Sequence, residues 1–193
     1  MTTQVFVDGA AGTTGLEIVT RLAAHPEFEP LVLDEARRKD PKARREALND
    51  SDVAVLCLPD DAARDAISMI DGKNTRVIDA STAHRVSDGW VYGFPEMTPE
   101  QADEVRSAAR ITNPGCYPTG AIALIRPLVD SGIVPVNFPV TINAVSGYSG
   151  GGKPLIARME NTEDDDALDS TWFGYGLALA HKHVPEIQKY SML

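Results

Sequence analysis

Three glycines spaced three apart, in Gly9-Ala10-Ala11-Gly12-Thr13-Thr14-Gly15, lie between an apolar run and a helical pattern, and no other feature limits the fold so tightly. Val5-Phe6-Val7 ahead of them has the β-branched and aromatic character of a strand, and residues 16–24 behind them have the spacing of a helix. A strand turning sharply into a helix needs a residue without Cβ at the turn. It needs a second where a pyrophosphate approaches the backbone and a third where helix meets strand. The spacing is not the common GxGxxG, so a purely structural glycine turn also fits. Further strands are expected at Pro30-Leu31-Val32-Leu33, at Asp52-Val53-Ala54-Val55-Leu56-Cys57-Leu58 and at Arg76-Val77-Ile78-Asp79, with a helix over 61–70. The third strand is nearly unbroken by polar residues, as a strand buried on both faces should be. Strands alternating with helices imply parallel pairing through right-handed crossovers. The expected class is therefore α/β: a Rossmann-like doubly wound parallel sheet over 1–112, with a nucleotide at the carboxyl ends of its strands.

The pattern changes beyond residue 113. A helix over 119–130 leads to strand-like stretches at 134–136 and 140–145 and then to the glycine-rich 146–152, which reads as a partial α+β substrate domain over 113–193. Glu160, Glu163, Asp164, Asp165, Asp166 and Asp169 mark a solvated loop or an exposed helix start.

Charge narrows the partners. Lys plus Arg is 18 against 28 Asp plus Glu, a net charge of -10, so no general basic surface exists for nucleic acid or an anionic membrane. An anionic small molecule would have to be met by a few placed cations and backbone amides. Met1-Thr2-Thr3-Gln4 runs straight into the first strand, without a charged leader or any run near the ~20 apolar residues of a membrane span, so a cytoplasmic location is expected. In that reducing setting Cys57, inside an apolar run, and Cys116, after Asn-Pro-Gly, are not expected to form a disulfide.

Asp34 ends the second expected strand near the ~20-residue offset at which an acid holds the ribose hydroxyls of NAD. Arg37, Arg38 and Lys39 follow at once, and such cations suit a 2′-phosphate, so NADP is the expected cofactor. The stretch 35–45 also reads as a plain charged helix.

Asn113-Pro114-Gly115-Cys116-Tyr117-Pro118-Thr119-Gly120 places Cys116 at or near a helix N-terminus, where free amides and the helix dipole favour a thiolate. A lone cysteine there could equally be a small buried apolar residue, as Cys57 is taken to be. The second cluster, His181-Lys182-His183-Val184-Pro185-Glu186-Ile187, supplies what a nucleophilic thiol needs, a group that exchanges protons near neutral pH. His181, His183 and Glu186 are also residue types that bind zinc, but Pro185 breaks the helix that would align them, and no metal is expected.

With these residues in view, the chain resembles the N-acetyl-γ-glutamyl-phosphate reductase family of arginine biosynthesis, in its shorter variety. The matching pieces are the stretch from Val5 to Gly15, Val77-Ile78-Asp79-Ala80-Ser81, Tyr92-Gly93-Phe94-Pro95-Glu96, the Cys116 octet, Ser146-Gly147-Tyr148-Ser149-Gly150-Gly151-Gly152 and the histidine cluster, in the family's order. The resemblance implies that Cys116 attacks N-acetyl-γ-glutamyl phosphate, inorganic phosphate leaves, and the thioester takes a hydride from NADPH before the thiohemiacetal collapses to the semialdehyde. It makes His181 or His183 the acid/base, with His181 slightly favoured, and places Ser81 and Arg85 near the substrate. It brings Ser146 and Gly147 to the nicotinamide end of the cofactor, leaving Gly9, Gly12, Thr13, Thr14, Gly15, Arg37 and Arg38 to the rest of it. A homo-oligomer is implied too. Members of the shorter variety continue for on the order of a hundred residues beyond the position of Leu193. A truncated chain is thus expected, with an uncovered sheet edge and apolar face and impaired activity. Two other readings stay open: an aspartate-semialdehyde dehydrogenase-like enzyme, from which the cysteine octet and histidine run point away, and a nucleotide-binding module without catalysis.

Overall fold

The computed structural model describes residues 2–72, 74–161 and 165–193. The first half alternates strand and helix: β1 Thr3–Asp8, α1 Thr13–Ala23, β2 Phe28–Leu31, α2 Pro41–Asp50, β3 Val53–Leu56, α3 Asp60–Ser68 and β4 Arg76–Asp79. The short β5 Val91–Tyr92, α4 Gln101–Ser107 and β6 Arg110–Thr112 complete one six-stranded sheet in the order β2-β1-β3-β4-β6-β5, with every neighbouring pair parallel. The fold class is thus α/β and doubly wound. The chain leaves β1 toward β2 and then returns past it to β3, so a crevice opens at the carboxyl ends of β1 and β3.

Alternation along the strands builds two cores. Val5, Val7 and Val55 face α1 through Ile18, Val19 and Leu22, whereas Phe6, Ala54, Leu56 and Val77 face Ala47 and Leu48 of α2 and Ala63 and Ala66 of α3. Helices therefore cover both faces, which is why β3 and the Val5-Phe6-Val7 stretch of β1 hold no polar residue. Each large side chain buried here contributes roughly 1.5–3 kcal/mol.

Several boundaries differ from the sequence reading. β2 runs two residues earlier than 30–33, because pairing places Thr3 opposite Phe28 and Phe6 opposite Leu31. The charged stretch is not one helix: Asp40 caps α2 by accepting from the Lys42 amide at 3.0 Å, and Pro41 takes the first helical position, where its missing N–H costs nothing.

Beyond β6 come α5 Cys116–Asp130, a 3-10 turn at Tyr148–Gly151, α6 Gly152–Glu160 and α7 Val184–Ser191. The strands expected at 134–136 and 140–145 are absent. No described segment runs alongside to complete a ladder, and Val136, Val140 and Val145 are exposed. In the acidic stretch Glu163 and Asp164 lie outside the described residues, while Asp165, Asp166 and Asp169 are exposed. α7 packs on α5 and is tied back to the first half, where Lys189 donates to the Val86 carbonyl at 3.0 Å and Tyr190 to that of Arg85 at 2.6 Å.

Candidate active site

The glycines of the first turn are required by space. Gly9 has φ +87°, and a Cβ there would lie 2.2 Å from the Cys57 carbonyl oxygen, while one at Gly15 would lie 2.4 Å from that of Gly9. Gly12 is looser, and as the cap of α1 it offers no side chain, so the first amides of that helix stay open to an anion. Thr13, Thr14 and Gly15 line a cavity of about 190 Å³ with Cys57, Leu58 and Ala80, at the crevice between β1 and β3. The shape fits a pyrophosphate lying over the turn.

A larger cavity of about 510 Å³ opens beside it, lined by Gly9, Ala10, Leu33, Arg38, Lys39 and Arg44 among others. Arg38 is paired with Glu35, whose carboxyl is held below its usual range chiefly by that bond. Arg37 is exposed and not among the lining residues, and its amide donates to the Asp34 carboxylate at 2.9 Å, which commits Asp34 to closing the turn. Arg44, from α2, pairs with the buried Asp8 at 2.8 Å. This cation, unread in the sequence, is brought in by a helix that starts later than expected.

Cys116 is exposed and is the first residue of α5, with Gly115 as its cap. Gly115 is buried and its amide donates to Glu186 at 2.7 Å. The same carboxylate, 1% exposed, accepts from the Tyr92 hydroxyl at 2.7 Å and from Arg85 at 3.0 Å. A Cβ on Gly115 would come within 2.6 Å of Arg85, 2.7 Å of His183 Nε2 and 2.9 Å of Glu186. The histidine cluster and the cysteine octet, far apart in sequence, therefore meet.

The two histidines differ. His183 is buried, its Nδ1 has no partner, and burial first, then the neighbouring His181, Arg85 and Lys182, push it down to about 4. His181 is half-buried, its ring stands 4.6 Å from that of His183, and its Nδ1 accepts from the His183 amide at 3.2 Å, so the neutral ring carries its proton on Nε2. The ring of Tyr117 stands edge-on to both imidazoles, and its hydroxyl bonds Tyr175 and Ser146. This brings Ser146 to the thiol side of the molecule, with Gly147 capping the 3-10 turn.

Ser81 and Arg85 have partners within the chain. The Ser81 hydroxyl donates to Asp79 at 2.8 Å, and that carboxylate also meets His84 at 2.7 Å. Arg85 reaches Glu186 and the Ala80 carbonyl, leaving its buried Nε without a partner. Cys57 is half-buried in the core, and burial pushes its thiol up to about 11. Among the described residues no group of three His, Cys, Asp or Glu could hold a metal ion, and no helix is long and apolar enough to cross a membrane. The residue that sequence reasoning misplaced is Glu186, weighed only as a metal ligand. Its spacing of three from His183 at a helix start puts both on one face, a signal that was there to find.

A doubly wound parallel sheet with an open glycine turn is thus joined to a helix that starts at an exposed thiol, and the residues on either side of that thiol meet the two imidazoles. The chain belongs to the semialdehyde dehydrogenase family: the family model for its NAD binding domain matches residues 4–105, and that for its dimerisation domain matches residues 116–192. Within the family, the chain is 54% identical over its whole length to the N-acetyl-gamma-glutamyl-phosphate reductase of Rhizobium etli (strain ATCC 51251) and covers 63% of it. It is 54% identical to that of Chelativorans sp. (strain BNC1), covering 61%, and 52% identical to that of Brucella suis, covering 63%. The chain thus spans about three fifths of the length of these curated relatives. Among solved structures, aspartate semialdehyde dehydrogenase II from Vibrio cholerae complexed with ASA aligns with a TM-score of 0.53 at 18% identity, over 82% of this chain and 50% of the other. Aspartate semialdehyde dehydrogenase with NADP from Candida albicans aligns with 0.53 at 20%, over 68% and 48%. At such identities the likeness is one of fold.

Proposed function

We propose that this chain is the nucleotide-binding and thiol-bearing part of an NADP-dependent N-acetyl-γ-glutamyl-phosphate reductase. The observation that carries the reading is Cys116, exposed at the first position of α5, between Gly115, which lies against His183 and bonds the buried Glu186, and Tyr117, whose ring meets both imidazoles. Free amides and the positive end of the helix dipole favour the thiolate there. The thiolate attacks the acyl carbon, the C–O bond to phosphate breaks, inorganic phosphate leaves and a thioester on Cys116 remains. NADPH, when bound, supplies the hydride that reduces this thioester. Hydride addition leaves a thiohemiacetal oxyanion on Cys116, which takes a proton from the acid/base and returns it as the C–S bond breaks, and the semialdehyde leaves with the thiolate restored.

His181 is the acid/base in this reading. His183, kept neutral by burial, supports it through the backbone bond to its Nδ1. Gly9, Gly12, Thr13, Thr14 and Gly15 hold the pyrophosphate, Arg37, Arg38 and Lys39 meet the 2′-phosphate, and Ser146 and Gly147 guard the nicotinamide end. Ser81 and Arg85 form the substrate-side wall. The dimerisation-domain match supports a homo-oligomer, and the protein acts on a small molecule in the cytoplasm. The test runs the reaction backward, with N-acetylglutamate semialdehyde, phosphate and NADP beside aspartate semialdehyde, phosphate and NADP. NADPH is expected with the first only. Formation with aspartate semialdehyde alone contradicts the reading, and no turnover with equal, slow labelling of both cysteines favours a non-catalytic module.

A further inference from the structure

The cavity beside the glycine turn holds a buried ion pair that has no part in the chemistry at Cys116. We propose that Arg44 is a specificity-determining residue for the cofactor: it takes up the charge of Asp8 and turns the cavity from a ribose with free hydroxyls toward one that carries a 2′-phosphate. The inference rests on a dinucleotide lying over the Gly9–Gly15 turn and adds to that reading the residue that chooses between NADP and NAD.

Where NAD is bound, an acid accepts from the ribose hydroxyls. Three acids are candidates for that place, and each is committed. Asp34 does not line the cavity of about 510 Å³, and its carboxylate accepts from the Arg37 amide. Glu35 lines it but is paired with Arg38. Asp8, the last residue of β1 and 5% exposed, accepts on Oδ2 from Arg44 Nε at 3.1 Å and from Arg44 Nη2 at 2.8 Å. The charged residues lining the cavity are then Asp8 and Glu35 against Arg38, Lys39 and Arg44, so a positive charge is in surplus. Arg44 Nη1 has no hydrogen bond among the described residues, which leaves that donor for a ligand.

The sequence aims this arginine at the sheet. Arg44 stands three and four residues before Ala47 and Leu48, both buried in the core, so α2 carries it on the face that packs against β1. Its neighbour Arg45 pairs with Asp71 at the surface instead. Without Arg44, Asp8 would face the cavity uncompensated. A bare carboxylate there repels a phosphate and accepts from hydroxyls, so a single side chain changes sign-dependent preference by masking the acid and adding a donor.

The measurement is the dissociation constant of NADP and of NAD, which differ only in the 2′-phosphate, by calorimetric titration of this chain, with a thermal melt of each variant. Arg44→Gln is expected to lower the preference for NADP by about tenfold or more, the scale of one charge-assisted hydrogen bond, chiefly by weakening NADP. Asp8→Asn keeps the arginine and removes the acid, so the preference is expected to stay. A ratio of the two constants that Arg44→Gln leaves unchanged, with both nucleotides weakened alike, overturns the proposal and makes the pair a staple between α2 and β1. So does a preference lowered as much by Asp8→Asn as by Arg44→Gln. Should Arg44→Gln fail to fold, the double variant Asp8→Asn with Arg44→Gln buries no lone charge; a lowered preference supports the assignment and an unchanged one overturns it. If the unaltered chain binds NAD as tightly as NADP, the NADP reading itself fails, an outcome read before any variant is made.

Discussion

Gly115 shows how much rests on one absent methyl group. A Cβ there would press on Arg85, His183 and Glu186 at 2.6 to 2.9 Å, all of them buried and none able to swing into solvent. Gly115→Ala is expected to cost about 3 kcal/mol, the scale of overpacking a filled site or disturbing a buried ion pair. It should also slow Cys116 alkylation at pH 8; urea unfolding and labelling check the two halves separately. The two cysteines give a second test at this scale. With its thiol pushed up to about 11 by burial, Cys57 should stay unlabelled at pH 8, where Cys116 reacts. His183 gives a third. Folded, it takes a proton only near pH 4, whereas in the unfolded chain it does so near 6.5, so between these values the unfolded state binds more protons and stability falls as pH falls. His183→Asn is expected to flatten that part of the curve of melting temperature against pH, and an unchanged curve would contradict the assignment.

At the scale of elements, the strands that form the middle of the sheet were legible because burial on both faces leaves a continuous apolar run, as in β3. The glycine turn was legible because its sterics allow little else. β5 and β6 were not, since two or three residues carry no periodicity and Arg110-Ile111-Thr112 has a single apolar member. The second half misled for the converse reason: apolar residues at 134–145 look like strands, but a strand exists only where a neighbour completes its hydrogen bonds. The thiol and the histidines could be picked out singly, yet their meeting through Glu186 depends on α7 packing against α5, which no local pattern encodes. The glycine turn itself can be tested. Gly9→Ala puts a Cβ against the Cys57 carbonyl and forces a positive φ on alanine. It should abolish NADP binding, measured by fluorescence titration, while leaving the α5–α7 side and Cys116 labelling largely intact.

Considered as a whole, the molecule is unevenly packed. The sheet half has two filled cores, but beyond α5 the surface shows Ile133, Val136, Phe138, Trp172, Leu177 and Leu179, each more than half exposed. Its two tryptophans report on these regions independently. Trp90 is half-buried and stacked on His84 at 4.3 Å, while Trp172 is 78% exposed. Iodide is expected to quench only one component of the emission, and Trp172→Phe should remove that component. Uniform quenching would mean that the two halves are equally open.

Acylation of the thiol is the claim on which the functional reading stands. The chain is incubated with N-acetyl-γ-glutamyl phosphate in the absence of NADPH, quenched in acid and mapped by peptide mass spectrometry. An N-acetylglutamyl adduct is expected on the Cys116 peptide, none on that of Cys57, and none anywhere in Cys116→Ser. An adduct on Cys57, or one that survives Cys116→Ser, would contradict it.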